Sequence, residues 1–256
     1  MLNARPLHLF LIGLSIGACG LLPRWMQLAD ASNLDSLVVE TETFRHRVLA
    51  NRHAGDHLRI YVEGDGEPWI RGQRVAVDPT PAVPLLLELM HDVEHPAVYL
   101  GRPCYFGFAT SRRCDSRYWT VDRYGEDVVN SMCSAANQLS ARYDAKTVEL
   151  VGYSGGGAIV VGMIDCTDKL VAVKTIAGNL DPERWTEHHG YLPVRYSTKR
   201  ATVVAETHWQ CGNDTNVPPA VTAAYFIKRP DATRIVVDDC THATGWSPIF
   251  SDIVGE

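Results

Sequence analysis

Apolar residues in this chain fall into short runs separated by longer stretches of mixed polarity. Residues 57–62 (His-Leu-Arg-Ile-Tyr-Val), 96–100, 148–151, 170–176, 201–207 and 233–238 are such runs, several of them rich in β-branched residues. Runs of this length bounded by turn residues predict strands buried on both faces. Residues 41–51 alternate enough to give a first strand. Between these runs the spacing changes. In 122–142 the apolar positions Val128, Val129, Met132, Ala136 and Leu139 recur at near-helical intervals, and 85–91 and 219–227 read as shorter helices. Strands alternating with helices predict an α/β domain with a mostly parallel sheet covered on both faces. Residues 67–84 are proline-rich and read as a loop. Residues 182–200, irregular and rich in Trp, His, Tyr and Pro, are expected to form a small cap.

The run at 148–151 leads into the most informative stretch. Residues 152–156 read Gly-Tyr-Ser-Gly-Gly and fit G-x-S-x-G on Gly152, Ser154 and Gly156, followed by a helix-like Ala/Ile/Val/Met segment. On such a strand-to-helix turn the serine is lifted above the sheet. The N-terminal end of the helix, with its free N–H groups and positive dipole end, faces the same spot. The competing reading is a glycine-rich turn whose serine only caps the helix. A matching strand before it, a helix after it, and acid and histidine candidates downstream favour a nucleophile.

The N-terminus is set apart before the fold is considered. Arg5 precedes an apolar run over 9–17 that is of signal-peptide length and too short for a permanent membrane span. Ile16-Gly17-Ala18-Cys19 then resembles a bacterial lipobox, which makes Cys19 the expected lipidation site. The expected organisation is a lipoprotein signal peptide over 1–18, a lipidated N-terminus and tether over 19–40 with some amphipathic helix (Trp25, Met26, Leu28), and the main domain over 41–256. Export to the bacterial cell envelope and attachment to a membrane through the lipid follow. Apart from Cys19, the chain carries Cys104, Cys114, Cys133, Cys166, Cys211 and Cys240, an even number suited to an oxidising compartment. The layout suggests Cys104 with Cys114 across a short loop, Cys211 with Cys240 beyond two late strands, and Cys133 with Cys166 on the helices flanking the serine strand. No C-x-x-C or short Cys/His spacing points to a metal. Against 24 basic residues stand 30 acidic ones, a net charge of −6, so no basic face for nucleic acid is expected.

A serine at neutral pH needs a base, and the base needs an orienting carboxylate. Two late loops, each following a strand, supply them: 209–218 carries Asp214 and 238–246 carries His242. Asp181, also beyond a strand, is the competing acid, although Pro182-Glu183 after it makes it a natural helix N-cap. His188, His189 and His208 are further candidates to touch substrate, and each is more readily a surface or structural residue. Asp238 and Asp239 either support the His242 loop or are solvated. Trp69, Trp185 and Trp246 either line an acyl pocket or pack in the core.

The order Ser154, Asp214, His242 and the Gly-x-Asp-x-x-Val-Pro pattern over 212–218 resemble the α/β-hydrolases, over about residues 40–250. More narrowly, the chain is similar to uncharacterised bacterial lipoprotein-type hydrolases. The resemblance implies a carboxylic ester hydrolase, acting on lipid or small acyl esters through an acyl-enzyme, with no cofactor. A peptidase or amidase on the same fold and a non-catalytic binding module are the alternatives. The resemblance also implies an oxyanion hole formed by the N–H of Gly155 and a second N–H from residues 63–66, that of Asp65 or else Gly66. Here the sequence departs from the family pattern, since Glu63-Gly64-Asp65-Gly66 stands where His-Gly-Gly-type sequences are common. Two acids beside a developing anion are unfavourable unless paired, and Arg102 and Arg71 are the expected partners.

Overall fold

The apolar runs pair into one eight-stranded sheet in the computed structural model, which describes residues 22–196 and 201–255. The signal segment, the lipobox and Cys19 lie outside the described residues. In chain order the strands are β1 (Asp35–Glu40), β2 (Arg45–Ala50), β3 (His57–Val62), then the short hairpin β4 (Trp69–Ile70) and β5 (Arg74–Val75). They continue with β6 (Ala97–Leu100), β7 (Thr147–Tyr153), β8 (Leu170–Ile176), β9 (Ala205–Cys211) and β10 (Thr233–Val237). The helices are α1 (Arg24–Ala31), α2 (Leu85–Leu89), α3 (Glu126–Arg142), α4 (Gly155–Gly162), α5 (Pro182–His189), α6 (Ala223–Lys228) and α7 (Phe250–Val254). The sheet order is β1-β2-β6-β3-β7-β8-β9-β10, and β4 and β5 pair separately.

From β6 to β10 every pairing is parallel, while β2 runs antiparallel to both β1 and β6. The central strands are the ones whose sequences are apolar on both faces. Leu58, Ile60, Val62, Val98, Leu100, Val148, Leu150 and Val151 are all buried between the helix layers. Burial of each such side chain contributes roughly 1.5–3 kcal/mol, so this strip anchors the fold. Because six strands run the same way, the loops at their carboxyl ends gather along one edge, where ligands bind in open α/β sheets.

Several elements differ from the sequence-based expectation: the loop expected over 67–84 carries the β4–β5 hairpin, and β10, expected to be buried on both faces, is an exposed edge strand. The tether expected over 19–40 is, from residue 24 onward, part of the folded body. In α1, Trp25 is buried and meets the Phe106 ring edge-on at 5.8 Å, and β1 forms the sheet edge. Only Val39 of β1 is buried, so the strand carried no strong apolar pattern. The strand expected at 201–207 lies four residues later. Residues 201–204 are not in a strand, and the N–H groups of Ala201 and Thr202 donate to the Asp165 carboxylate at 2.9 and 2.8 Å. Strand β9 instead runs through Glu206, His208 and Gln210, polar residues with buried partners: His208 Nδ1 meets Thr175 Oγ1 at 2.9 Å, and Gln210 bonds to Thr222. Finally, the irregular segment over 182–200 begins as helix α5, with Asp181 as its N-cap accepting from the Arg184 N–H.

Candidate active site

Ser154 stands between β7 and α4 with φ 52° and ψ −120°, a left-handed backbone that a non-glycine residue holds only under constraint. The flanking glycines make the corner possible. A Cβ on Gly152 would come 2.5 Å from the Gly156 carbonyl oxygen, and one on Gly156 would fall on the carbonyl oxygen of Val62 in the neighbouring strand. The corner is fastened by the Ser154 N–H donating to the Ile176 carbonyl at 3.0 Å and the Asn179 N–H donating to the Ser154 carbonyl at 2.8 Å. The seryl hydroxyl is left half-buried at the carboxyl edge of the sheet.

The acid and the histidine come from the loops after β9 and β10. Asp214 Oδ1 accepts from the N–H groups of Asn216 and Val217 at 2.8 and 2.9 Å, which turns Oδ2 toward His242 Nδ1 at 2.7 Å. Burial pushes the Asp214 carboxyl up, but the hydrogen bond and charge of His242, with those two N–H donors, hold it below the usual carboxylate range. His242 Nε2 lies 2.9 Å from Ser154 Oγ. The imidazole is framed by the Tyr153 ring, 5.2 Å away centre to centre, and its main-chain carbonyl accepts from Tyr153 Oη at 3.2 Å and Trp246 Nε1 at 3.0 Å. The two loops are zipped together by Gly212 N–H to the Val237 carbonyl and by the Cys211–Cys240 disulfide, whose Cα atoms are 5.6 Å apart. Cys104–Cys114 and Cys133–Cys166 are bonded as well.

The loop over 63–66 lies against the serine, since a Cβ on Gly64 would be 3.2 Å from Ser154 Cβ. Among the described residues, the backbone N–H groups of Gly155 and Asp65 make no hydrogen bond. The Asp65 carboxylate turns into the protein, where it meets Arg102 Nη1 at 2.6 Å, Arg123 Nη1 at 3.0 Å and Tyr124 Oη at 2.6 Å. Burial pushes this carboxyl up, but the two guanidinium groups and the tyrosine hydroxyl hold it below its ordinary value. Arg102 is thus one of the two expected partners. Arg71 is not the other, because it sits in the exposed turn of the β4–β5 hairpin and Arg123 takes that place. Glu63 is also buried, and accepts from the N–H groups of Gly64 and Leu86 at 3.1 and 2.9 Å and from Tyr99 Oη at 3.3 Å. Burial pushes its carboxyl up to about 7.

A cavity of about 710 Å³ opens over Ser154 and His242. Trp69, Val83, Trp185, Tyr191 and Leu192 supply its apolar wall, and Glu63, Asp65, Glu67 and Arg123 are the acidic and basic residues along it. The cap segment therefore contributes through Trp185 and the chain just after α5. Trp185 is held by its Nε1 donating to the Asn216 carbonyl at 2.8 Å and by the Arg123 guanidinium, 5.5 Å from its ring centre. Trp246 does not line the cavity and is core. His208 is buried within the sheet layer, and His189 meets the Asn216 carbonyl at 2.7 Å outside the cavity wall. His188, next to it on α5, lies outside the wall too. Asp181 caps α5, and the carboxylate that His242 Nδ1 meets is that of Asp214; the Asp238 carbonyl accepts from Asn213 Nδ2 at 3.0 Å. Arg123 and Tyr124 were not singled out from the sequence. The only signal was the unpaired acid at position 65, which required a countercharge without saying which of the 24 basic residues supplies it.

No family model and no curated protein matches the chain. Solved structures do. A lidless α/β serine hydrolase of Xanthomonas campestris superposes with a TM-score of 0.60 at 13% identity, over 87% of this chain and 94% of the other. An esterase of Pyrococcus furiosus gives 0.60 at 12% identity, over 88% and 90%. A puromycin-hydrolysing peptidase of Mycobacterium tuberculosis gives 0.55 at 15% identity, over 83% of this chain and 36% of that one. Likeness at such identities reaches the backbone only. Taken with the strand order and the strained serine corner, it establishes that this chain has the α/β-hydrolase fold.

Proposed function

We propose that the chain is a serine hydrolase cleaving carboxylic esters through an acyl-enzyme. The observation that carries this reading is the unbroken hydrogen-bond line from Ser154 Oγ through His242 to Asp214, at the floor of a cavity with an apolar wall. His242 Nε2 takes the Ser154 proton as Oγ attacks the ester carbonyl carbon, and the carbonyl π electrons move onto oxygen. The N–H groups of Gly155 and Asp65 receive that oxyanion. Asp214 holds the imidazole in orientation and stabilises its positive charge. The oxyanion then collapses, the C–O bond to the alcohol breaks, and His242 gives its proton to the departing alkoxide. A water molecule, deprotonated by the same histidine, releases the acid and restores the serine. No cofactor enters. The apolar wall suits an acyl chain, so lipid or small acyl esters are the substrate class.

A fluorophosphonate probe tests the nucleophile. The wild type is expected to be labelled and Ser154→Ala is not; equal labelling of both removes the assignment, and no labelling of either points to a binding module. Turnover of p-nitrophenyl esters set beside aminoacyl nitroanilides separates an esterase from a peptidase or amidase. We further propose export and anchoring to the cell-envelope membrane through lipidated Cys19. The three disulfides support an oxidising compartment. Metabolic labelling with a fatty acid, lost in Cys19→Ser, checks the anchor.

A further inference from the structure

The G-x-S-x-G pattern leaves the position after the serine open, yet here it is glycine. The packing gives the reason. A methyl group on Gly155 would fall on Asp65 Oδ1 and lie 2.7 Å from Tyr124 Oη. The Asp65 carboxylate therefore rests directly on the Cα of Gly155, and these are the two residues whose N–H groups are read as oxyanion donors.

That carboxylate has little freedom of its own. Arg102, Arg123 and Tyr124 all donate to it, and Tyr105 Oη donates to the Asp65 main-chain carbonyl at 2.9 Å, which fixes the peptide plane that follows. The arginines are fixed in turn. Arg102 Nη2 donates to the Arg123 carbonyl at 3.0 Å, and Arg123 Nε donates to the Thr120 carbonyl at 2.7 Å. Both arginines are buried. One carboxylate against two guanidinium groups leaves one positive charge in excess beside the cavity that Arg123 lines. The Asp65 carboxylate consequently does not oppose an oxyanion, because its charge is more than cancelled by the two guanidinium groups that hold it. Donors held in place before the charge forms are what such a site requires, since a loop that had to settle during the reaction would forfeit stabilisation.

We infer that the Asp65 side chain, clamped by Arg102, Arg123 and Tyr124 and seated on Gly155, is a positioning residue that fixes the two oxyanion donors relative to each other. The inference rests on the serine-hydrolase reading above. It also assigns the glycine after the nucleophile a specific purpose, to make room for that carboxylate.

Two measurements on the full chain test it: turnover of p-nitrophenyl butyrate, and inhibition by an arylboronic acid, whose tetrahedral adduct on Ser154 places an oxygen where the oxyanion forms. In Asp65→Asn, kcat and boronate affinity are expected to fall together by roughly 10- to 100-fold, while KM stays within about twofold, the signature of lost transition-state binding. Gly155→Ala is expected to do the same. In a background of Asp65→Gly with Tyr124→Phe, which removes both colliding oxygens, adding Gly155→Ala is expected to cost less than about twofold more. Additive losses would overturn the inference, as would folded variants with unchanged kcat and boronate affinity. If Asp65→Asn fails to fold, Tyr124→Phe removes one of the three donors to the carboxylate and is expected to lower both quantities by roughly 3- to 10-fold; no change there overturns the inference equally. A wild type that neither turns over nor binds the boronate sinks the serine-hydrolase reading itself, whereas an active wild type with indifferent variants removes only the positioning role.

Discussion

At the scale of single residues, the two candidate acids separate cleanly. Asp214 accepts from two backbone N–H groups and from His242, whereas Asp181 is committed to the first turn of α5. Asp214→Asn is accordingly expected to lower kcat on an activated ester by about three to four orders of magnitude, because the imidazole loses its orientation and its counter-charge. Asp181→Asn is expected to keep more than half of the activity. Steady-state kinetics on the two variants decides it. These positions were legible because each follows a strand and the order of serine, acid and histidine is itself informative. The clamp around position 65 was only half legible. Arg102 follows a predicted strand and was a candidate, but Arg123 reaches Asp65 from just ahead of α3, and nothing local in the chain marks that contact.

At the scale of elements, strands rich in apolar or β-branched residues were readable, including β10, whose side chains remain largely exposed. Strand β3 was found to the residue, while β9 was misplaced by four, since its alternate positions carry Glu206, His208 and Gln210, which only their buried partners make tolerable. Edge strand β1 was hidden because it buries only Val39, whereas the amphipathic helix read on Trp25, Met26 and Leu28 is α1. Glu63 links two elements, joining the loop after β3 to the start of α2. Its raised carboxyl gives a pH dependence with a definite sign. Between its ordinary value near 4.5 and its folded value of about 7, the native state holds a proton that the unfolded chain has released, so stability falls as pH rises through that window and levels off above it. Urea denaturation from pH 4.5 to 8 is expected to show this fall, and Glu63→Gln is expected to flatten it. An identical slope in the variant would assign the effect to other groups.

At the scale of the whole molecule, the edge carrying the candidate active site is assembled from segments far apart in the chain, and the sheet alone does not hold them. Two late strands deliver the acid and the histidine, and the Cys211–Cys240 bridge closes a loop with a sequence separation of 29 residues between them. By loop-closure entropy this bridge contributes about 3–4 kcal/mol. Replacing Cys211→Ser and Cys240→Ser together is expected to lower the urea midpoint accordingly and to reduce kcat more than KM, since both reacting loops lose their tie. Urea denaturation and steady-state kinetics on the double variant check both effects.

That bridge also bears on when the molecule becomes competent. The acid lies three positions after one of its cysteines and the base two after the other, so thiol oxidation and assembly of the reactive centre are a single event in space. Protein made under reducing conditions is expected to carry slack late loops and, on the proposed reading, to show little turnover. Material produced that way and then treated with oxidised glutathione should gain turnover in step with loss of free thiols.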